Sequence, residues 1–293
     1  MIFLLLLYTT NAFLLNMNNG NPSSMWSVLS GNLKSSARKW FINRAEQQGI
    51  KWNDLRESYV ENLNELELFK KKIENNEIYY PSYYTQPFHG YDYGNLEWNA
   101  ATEAEAATIS ISANYWEDVD PVLSERWLRY NTTRNIRHYM KKYSIREQTS
   151  ILDMGCSIGI STEYLEKSFP KCTNILGVDL SPYFLATASY RLNKDESNIK
   201  YMHCNVENVP LPNNTFDMVS CNFLFHEVPH KPTIKIVQEA YRLLKPNGIL
   251  AILDLDPEKL KQKLDNNKFR LWTFESTEPH IYDYYKNDIS KTM

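Results

Sequence analysis

The stretch "ILDMGCSIGIST" (Ile151–Thr162) runs from apolar residues through two glycines into polar helix-starting residues. It reads as a short buried strand, a turn and the first turn of a helix. Gly155 and Gly159 let the backbone come close to a ligand, and the amides that open the following helix point outward toward it. The same strand–turn–helix pattern continues downstream. "NILGVDL" is a second strand, after which Ser181-Pro182 starts the helix "YFLATASYRL". "IKYMHCNV" and "FDMVSCNFLF" are the third and fourth strands, "KPTIKIVQEAYRLL" is a helix stopped by "KPNG", and "ILAILDLD" is the fifth strand. Strands separated by helical crossovers predict a parallel, doubly wound α/β sheet with its ligand at the carboxyl ends of the strands.

The loop also restricts the ligand. Asp179 ends the second strand, where a carboxylate can accept both hydroxyls of a ribose. A dinucleotide fingerprint needs G-x-G-x-x-G, with the middle glycine making room for a pyrophosphate. Here Ser157 holds that position and Asp153 closes the first strand. A carboxylate beside the loop repels a pyrophosphate but suits the cationic amino-acid end of S-adenosylmethionine.

Taken together, Asp153-x-Gly155-x-x-x-Gly159, Asp179, "FDMVSCNFLFHEVP" and "LLKPNGILAILD" resemble the class I S-adenosylmethionine-dependent methyltransferases, small-molecule type, over about residues 149–256. The resemblance implies a Rossmann-like sheet and S-adenosylmethionine as cofactor. It further implies that Asp153, Gly155, Cys156, Ser157 and Gly159 form the loop at the methionine and ribose end. Asp179 and Leu180 would grip the ribose and flank the adenine, and Asn222 would sit beside the sulfonium. Asn205 and Val206 match the family's Asp-Ala pair, with Asn where Asp is usual; its carbonyl can still accept from the adenine amino group, without the charge. "PFHGYDYGNLEWNAATEAEAATIS", "DLSPYFLATASYR", "FHEVP" and "STEPHIYDYY" resemble a narrower methyltransferase group of cyanobacteria and plant plastids.

Methyl transfer needs an aligned acceptor, and an oxygen acceptor needs its proton removed. His226, just past the fourth strand, is the first candidate base. Glu227 beside it is an orienter or second candidate, and His89 in the aromatic loop is a third. Each has a plain structural alternative: His226 bonding to backbone, Glu227 facing solvent and His89 packing among tyrosines. The loop Tyr79–Trp98, crowded with Tyr, Pro and Gly, is either a lid over an apolar or aromatic acceptor or an arm strapped across the catalytic domain.

The 293 residues carry a net charge of −3 with 23% charged and 43% hydrophobic side chains. That is ordinary for a globular protein and offers no basic footprint for a nucleic-acid partner. The four cysteines have no zinc-ligand spacing, so they are read as free thiols and no metal is expected. "MIFLLLLYTTNAFLLN" followed by an acid-free basic stretch resembles a two-part leader, signal then transit peptide, of the kind used by algae with secondary plastids. Residues 1–45 are therefore set aside as leader, which predicts a plastid destination and membrane contact only through that leader, with the secretory pathway or cytoplasm as alternatives.

Residues 46–147 are expected to form a helical and aromatic-loop extension on the substrate side, with one amphipathic helix over 53–75 and another starting at Asp120-Pro121. Residues 148–293 are the catalytic domain. Too few residues follow the fifth strand for the fold's usual closing strands, so five strands, or six at most, are expected. A non-catalytic S-adenosylmethionine-binding or assembly protein on the same fold is the rival reading. A protein or RNA methyltransferase lacks the N-P-P-Y or D-P-P-Y tetrapeptide after the fourth strand.

Overall fold

The computed structural model describes residues 3–9, 30–113, 115–116, 118–192, 197–259, 262 and 278–286. Five strands stand where the apolar runs place them: β2 (Ser150–Met154), β3 (Asn174–Asp179), β4 (Ile199–His203), β5 (Phe216–Asn222) and β6 (Leu244–Leu255). The described sheet has six strands in the order β1-β6-β5-β2-β3-β4, all paired in parallel. The sixth, β1 (Phe3–Thr9), comes from the stretch set aside as leader and lies along β6, Phe3 opposite Ile249 and Thr9 opposite Leu255. An apolar run of this length serves a sheet edge as readily as a signal segment, so composition alone does not separate the two. Helix α1 (Ser30–Gln47) also runs across the boundary drawn at 45.

The helical extension contains α2 (Trp52–Val60), α3 (Leu63–Ile73), α4 (Trp98–Ala113) and α5 (Pro121–Lys142). The single helix expected over 53–75 is thus two, interrupted at Glu61-Asn62. The break serves two packing partners. Trp52 packs with Ala106 and Ile109 of α4, whereas Leu66 packs with Tyr190 beyond the sheet. Helix α5 starts as expected, with Asp120 Oδ1 accepting the Leu123 amide at 2.9 Å and Pro121 in the first turn.

Crossover helices α6 (Ile160–Ser168), α7 (Pro182–Leu192) and α8 (His230–Leu243) complete the doubly wound unit, with a short α9 (Ile281–Lys286). Alternate strand residues feed two cores. Leu152, Val178, Val219 and Ile252 meet α8 and α9 on one face; Ile151, Ile175, Met218 and Ala251 meet α5 and α6 on the other. Most of the residues after β6 lie outside the described ones. Among the described residues no helix is long and apolar enough to cross a membrane, and no metal-binding cluster occurs. All four cysteines are buried and free, as the spacing suggests.

Candidate active site

The chain passes from β2 to β3 and β4 on one side of the sheet, then returns to place β5 and β6 on the other. The carboxyl ends of β2 and β5 therefore mark the switch point where such sheets bind ligands. A cavity of about 360 Å³ opens there. Gly155, Cys156 and Ser157 line it from the first strand, Asp179 and Leu180 from the second, Asn205 and Val206 from the third, and Asn222 from the fourth.

Two of the expected loop residues stand behind the cavity surface. Asp153 is fully buried beneath the loop, its Oδ2 accepting from the hydroxyls of Ser161 at 2.6 Å and Thr162 at 2.7 Å, and its Oδ1 from Asn222 Nδ2 at 3.2 Å. Serine and threonine in the first turn of α6 thus claim the carboxylate that the sequence offered to the ligand. Burial pushes its pKa up against these bonds and the nearby Arg129 charge. Gly159 (φ +83°) starts α6 in a left-handed conformation, and any side chain there would run into the Tyr201 hydroxyl. Its requirement is that backbone conformation rather than ligand approach. Gly155 (φ +71°) is the cradle residue proper: a Cβ would meet Leu224 at 2.9 Å.

Asp179 faces the cavity and also ties the loop down. Its Oδ2 accepts the Ser157 amide at 2.9 Å and its Oδ1 the Ser181 amide at 2.8 Å. Burial lifts its pKa to about 6, while the amides of Ser181, Ser157 and Leu180 pull it back. Ser157 is held at φ +51°, a conformation that non-glycine residues adopt only under constraint. Asn205 uses its carbonyl oxygen on the Glu207 amide at 2.9 Å, leaving one lone pair for a ligand.

The three candidate acid–base residues converge although they come from distant segments. His89 Nε2 lies 2.7 Å from Glu278 Oε1 and 3.7 Å from Glu227 Oε1. His226 Nε2 lies 3.9 Å from that same Glu227 oxygen, and its Nδ1 bonds Asp254 Oδ1 at 2.8 Å. Asp254 is fixed in turn by the amides of Phe225 and Leu255, each at 2.8 Å. Burial lowers the His226 pKa, but Asp254, Glu227 and Glu278 outweigh it and raise it to about 9. Burial lowers His89 too, and Glu278 and Glu227 leave it raised on balance. Glu227 is the reverse. Burial lifts it to about 7 in spite of the two histidines, with Glu278 and Asp179 adding to the rise. Near neutrality His226 therefore holds its proton, and Glu227 is the group poised to accept one.

The aromatic loop proves to be both wall and strap. Tyr83, Tyr84, Phe88 and Tyr91 line the cavity. The Tyr83 hydroxyl donates to Glu207 Oε1 at 2.8 Å, and the Ser181 hydroxyl donates to the Asn95 carbonyl at 2.6 Å. His203 bonds the Leu180 carbonyl and the Asn75 amide.

Arg129 on α5 lines the same cavity, and sequence reasoning missed it. It is 6% exposed, its Nε bonds Glu125 Oε1 at 2.9 Å, and its Nη1 is buried with no partner among the described residues. A buried guanidinium N–H left over beside a glycine loop fits the carboxylate of an amino acid. With Asp179 for ribose hydroxyls and Leu180 and Val206 for a flat base, the residues present fit S-adenosylmethionine. Nothing in the α5 pattern shows that Arg129 turns inward. Asp254 at the end of an apolar strand, by contrast, was a readable signal.

Residues 152–252 match the methyltransferase domain family. The demethylmenaquinone methyltransferase of Geobacillus sp. is 29% identical over 116 residues, covering 39% of this chain and 49% of that protein. The ubiquinone/menaquinone biosynthesis C-methyltransferase of Hydrogenovibrio crunogenus is 29% identical over 140 residues, covering 47% and 54%. A SAM dependent methyltransferase structure from Aquifex aeolicus is 24% identical with a TM-score of 0.36, covering 44% and 77%. The chain spans about half the length of the curated relatives it matches. Over residues 152–252 the sheet unit is similar to methyltransferase domains, and S-adenosylmethionine is the cofactor its residues fit.

Proposed function

We propose that the chain transfers a methyl group from S-adenosylmethionine to a small organic acceptor, at oxygen or at an activated carbon, with Glu227 as the general base. The observation that carries this is the placement of Glu227, poised near neutrality, at the mouth of β5 in the same cavity as the glycine loop. Bound there, the cofactor supplies an electrophilic methyl group on a good leaving group. The protein's work is then alignment, proton removal and exclusion of water. Arg129 and Asp179 would hold the two polar ends of the cofactor, and the Gly155–Ser157 turn would admit it closely. Glu227 takes the acceptor's proton, while Asp254 keeps His226 charged and oriented beside it. Tyr83, Tyr84 and Phe88 shut the cavity from above.

The curated relatives are named as quinone-pathway methyltransferases, which agrees with an apolar, aromatic-lined cavity. For destination we retain a plastid-type leader as the proposal. Arg38 of α1 pairs with the buried Glu103, so the cut would fall upstream of Arg38, and the mature protein would lack β1 and have β6 at the sheet edge. The N-terminus of the protein purified from its own cells tests this. Function is tested with methyl-labelled S-adenosylmethionine and a metabolite extract. Label should pass into a small molecule with wild type and drop steeply with Glu227→Gln. Equal labelling by the variant would refute the role of Glu227, and no transfer by wild type would refute the activity.

A further inference from the structure

The cavity continues past the cofactor loop along one face of α4. Ala100, Ala104, Ala107 and Ile111 line it at helical spacing, giving an apolar wall roughly 16 Å long at the rise of an α-helix. The near end of that wall packs with Ile158 and Ile160 of the glycine loop; the far end packs with Trp52. Phe41 stands edge-on to Trp52 there, ring centroids 5.4 Å apart.

Most polar groups around this chamber are satisfied. Glu103, 1% exposed, meets Arg38, Arg56 and the Tyr91 hydroxyl. Four groups that line it are not: Arg38 Nε, Arg129 Nη1, Trp52 Nε1 and Glu278 Oε2. Trp52 is 2% exposed and its Nε1–H has no acceptor; Glu278 Oε2 is buried with no donor, its other oxygen being held by His89. Buried polar atoms are rarely left unpaired; Arg129 faces the cofactor end and Arg38 is already paired with Glu103 through Nη2, which leaves the Trp52 donor at the far end and the Glu278 acceptor at the reacting end.

Building on the function proposed above, we propose that this chamber is the acceptor site. It takes a flat apolar molecule bearing at one end a hydroxyl that donates to Glu278 and so sets the neighbouring reacting position before Glu227, and at the other a carbonyl-type acceptor, taken by Trp52 Nε1. The unpaired atoms are the complement of that substrate. They fix which end of it reaches the base, because the reversed orientation would set a carbonyl against a carboxylate and leave the indole N–H unpaired.

Four probes read this out: biphenyl, para-hydroxybiphenyl, para-acetylbiphenyl, and biphenyl with a hydroxyl on one ring and an acetyl on the other, both para. Each is titrated calorimetrically into the full chain saturated with S-adenosylhomocysteine. In wild type each polar group should tighten binding about five- to tenfold, so the doubly substituted probe binds best. Trp52→Phe should erase the gain from the acetyl group and keep that from the hydroxyl. Glu278→Met should do the opposite, and neither should alter S-adenosylhomocysteine affinity. Equal affinity of wild type for all four probes would mean that water fills both positions, and it overturns the proposal even if Trp52→Phe fails to fold. Equal weakening of all four by Trp52→Phe would make Trp52 a wall only, and also overturns it. If no probe binds while S-adenosylhomocysteine does, the chamber proposal falls and the cofactor reading stands. If S-adenosylhomocysteine fails too, both fall.

Discussion

At the amino end of the strands, Asp217 accepts from the amides and hydroxyls of Thr149 and Ser150, from Lys245 and from Arg146. At the carboxyl end, Glu227 meets two histidines at 3.7 and 3.9 Å and a second carboxylate nearby. Both side chains sit at the limit of one sheet, and burial pushes both pKa values upward. Asp217 has enough donors to overcome burial and is held well below the usual carboxylate range. Glu227 does not, and is left near 7. The amino end spends its polar groups on clamping β2, β5 and β6 together. The carboxyl end leaves Glu227, Arg129 Nη1 and Glu278 Oε2 short of partners, which is where a ligand is called for.

The contrast can be broken from either side. Glu227→Gln should cost the most, a fall in methyl transfer of roughly a hundredfold or more, with cofactor affinity kept. In wild type, transfer should rise with pH through about 7 as Glu227 loses its proton, and this limb should vanish in the variant. Asp217→Ala should leave cofactor affinity alone and lower folding stability by about 3 kcal/mol, measured by urea unfolding at neutral pH. Because the Asp217 pKa is depressed, its contribution is present above about pH 4, where the unfolded carboxyl titrates, and is lost as acid protonates the folded one. Arg129→Met should weaken S-adenosylhomocysteine about tenfold or more, read by calorimetry.

The smallest effect distinguishes the two ends by sign. Asp179 is raised to about 6, so its folded form binds a proton more tightly and its stabilising share is lost as pH rises from about 4 through 6. Asp179→Asn should therefore flatten that decline, a matter of a few degrees in Tm.

The sheet was legible because buried parallel strands must be largely apolar runs, as β2, β3, β5 and β6 are; β4, at the edge, carries the exposed Lys200. The glycine loop was legible because Gly155 and Gly159 are needed for backbone reasons that sequence displays directly. What sequence did not display is direction. Asp153 turns under the loop toward Ser161 and Thr162, Arg129 turns into the cavity, and α2 breaks from α3 to reach a second partner. The charge environment of His226 and Glu227 was also hidden, since it depends on Asp254 and on His89 and Glu278 from opposite parts of the chain. Strand β1 was hidden for another reason: the same apolar run satisfies a leader and a sheet edge.

The most direct test of the central claim is a calorimetric titration of the full chain with S-adenosylmethionine at pH 7.5. Saturable binding at one site in the micromolar range, weakened by Arg129→Met and unaffected by Asp217→Asn, is the expected result. No binding by wild type, or equal binding by all three proteins, would contradict the claim that the carboxyl-end cavity is the methyl donor's site.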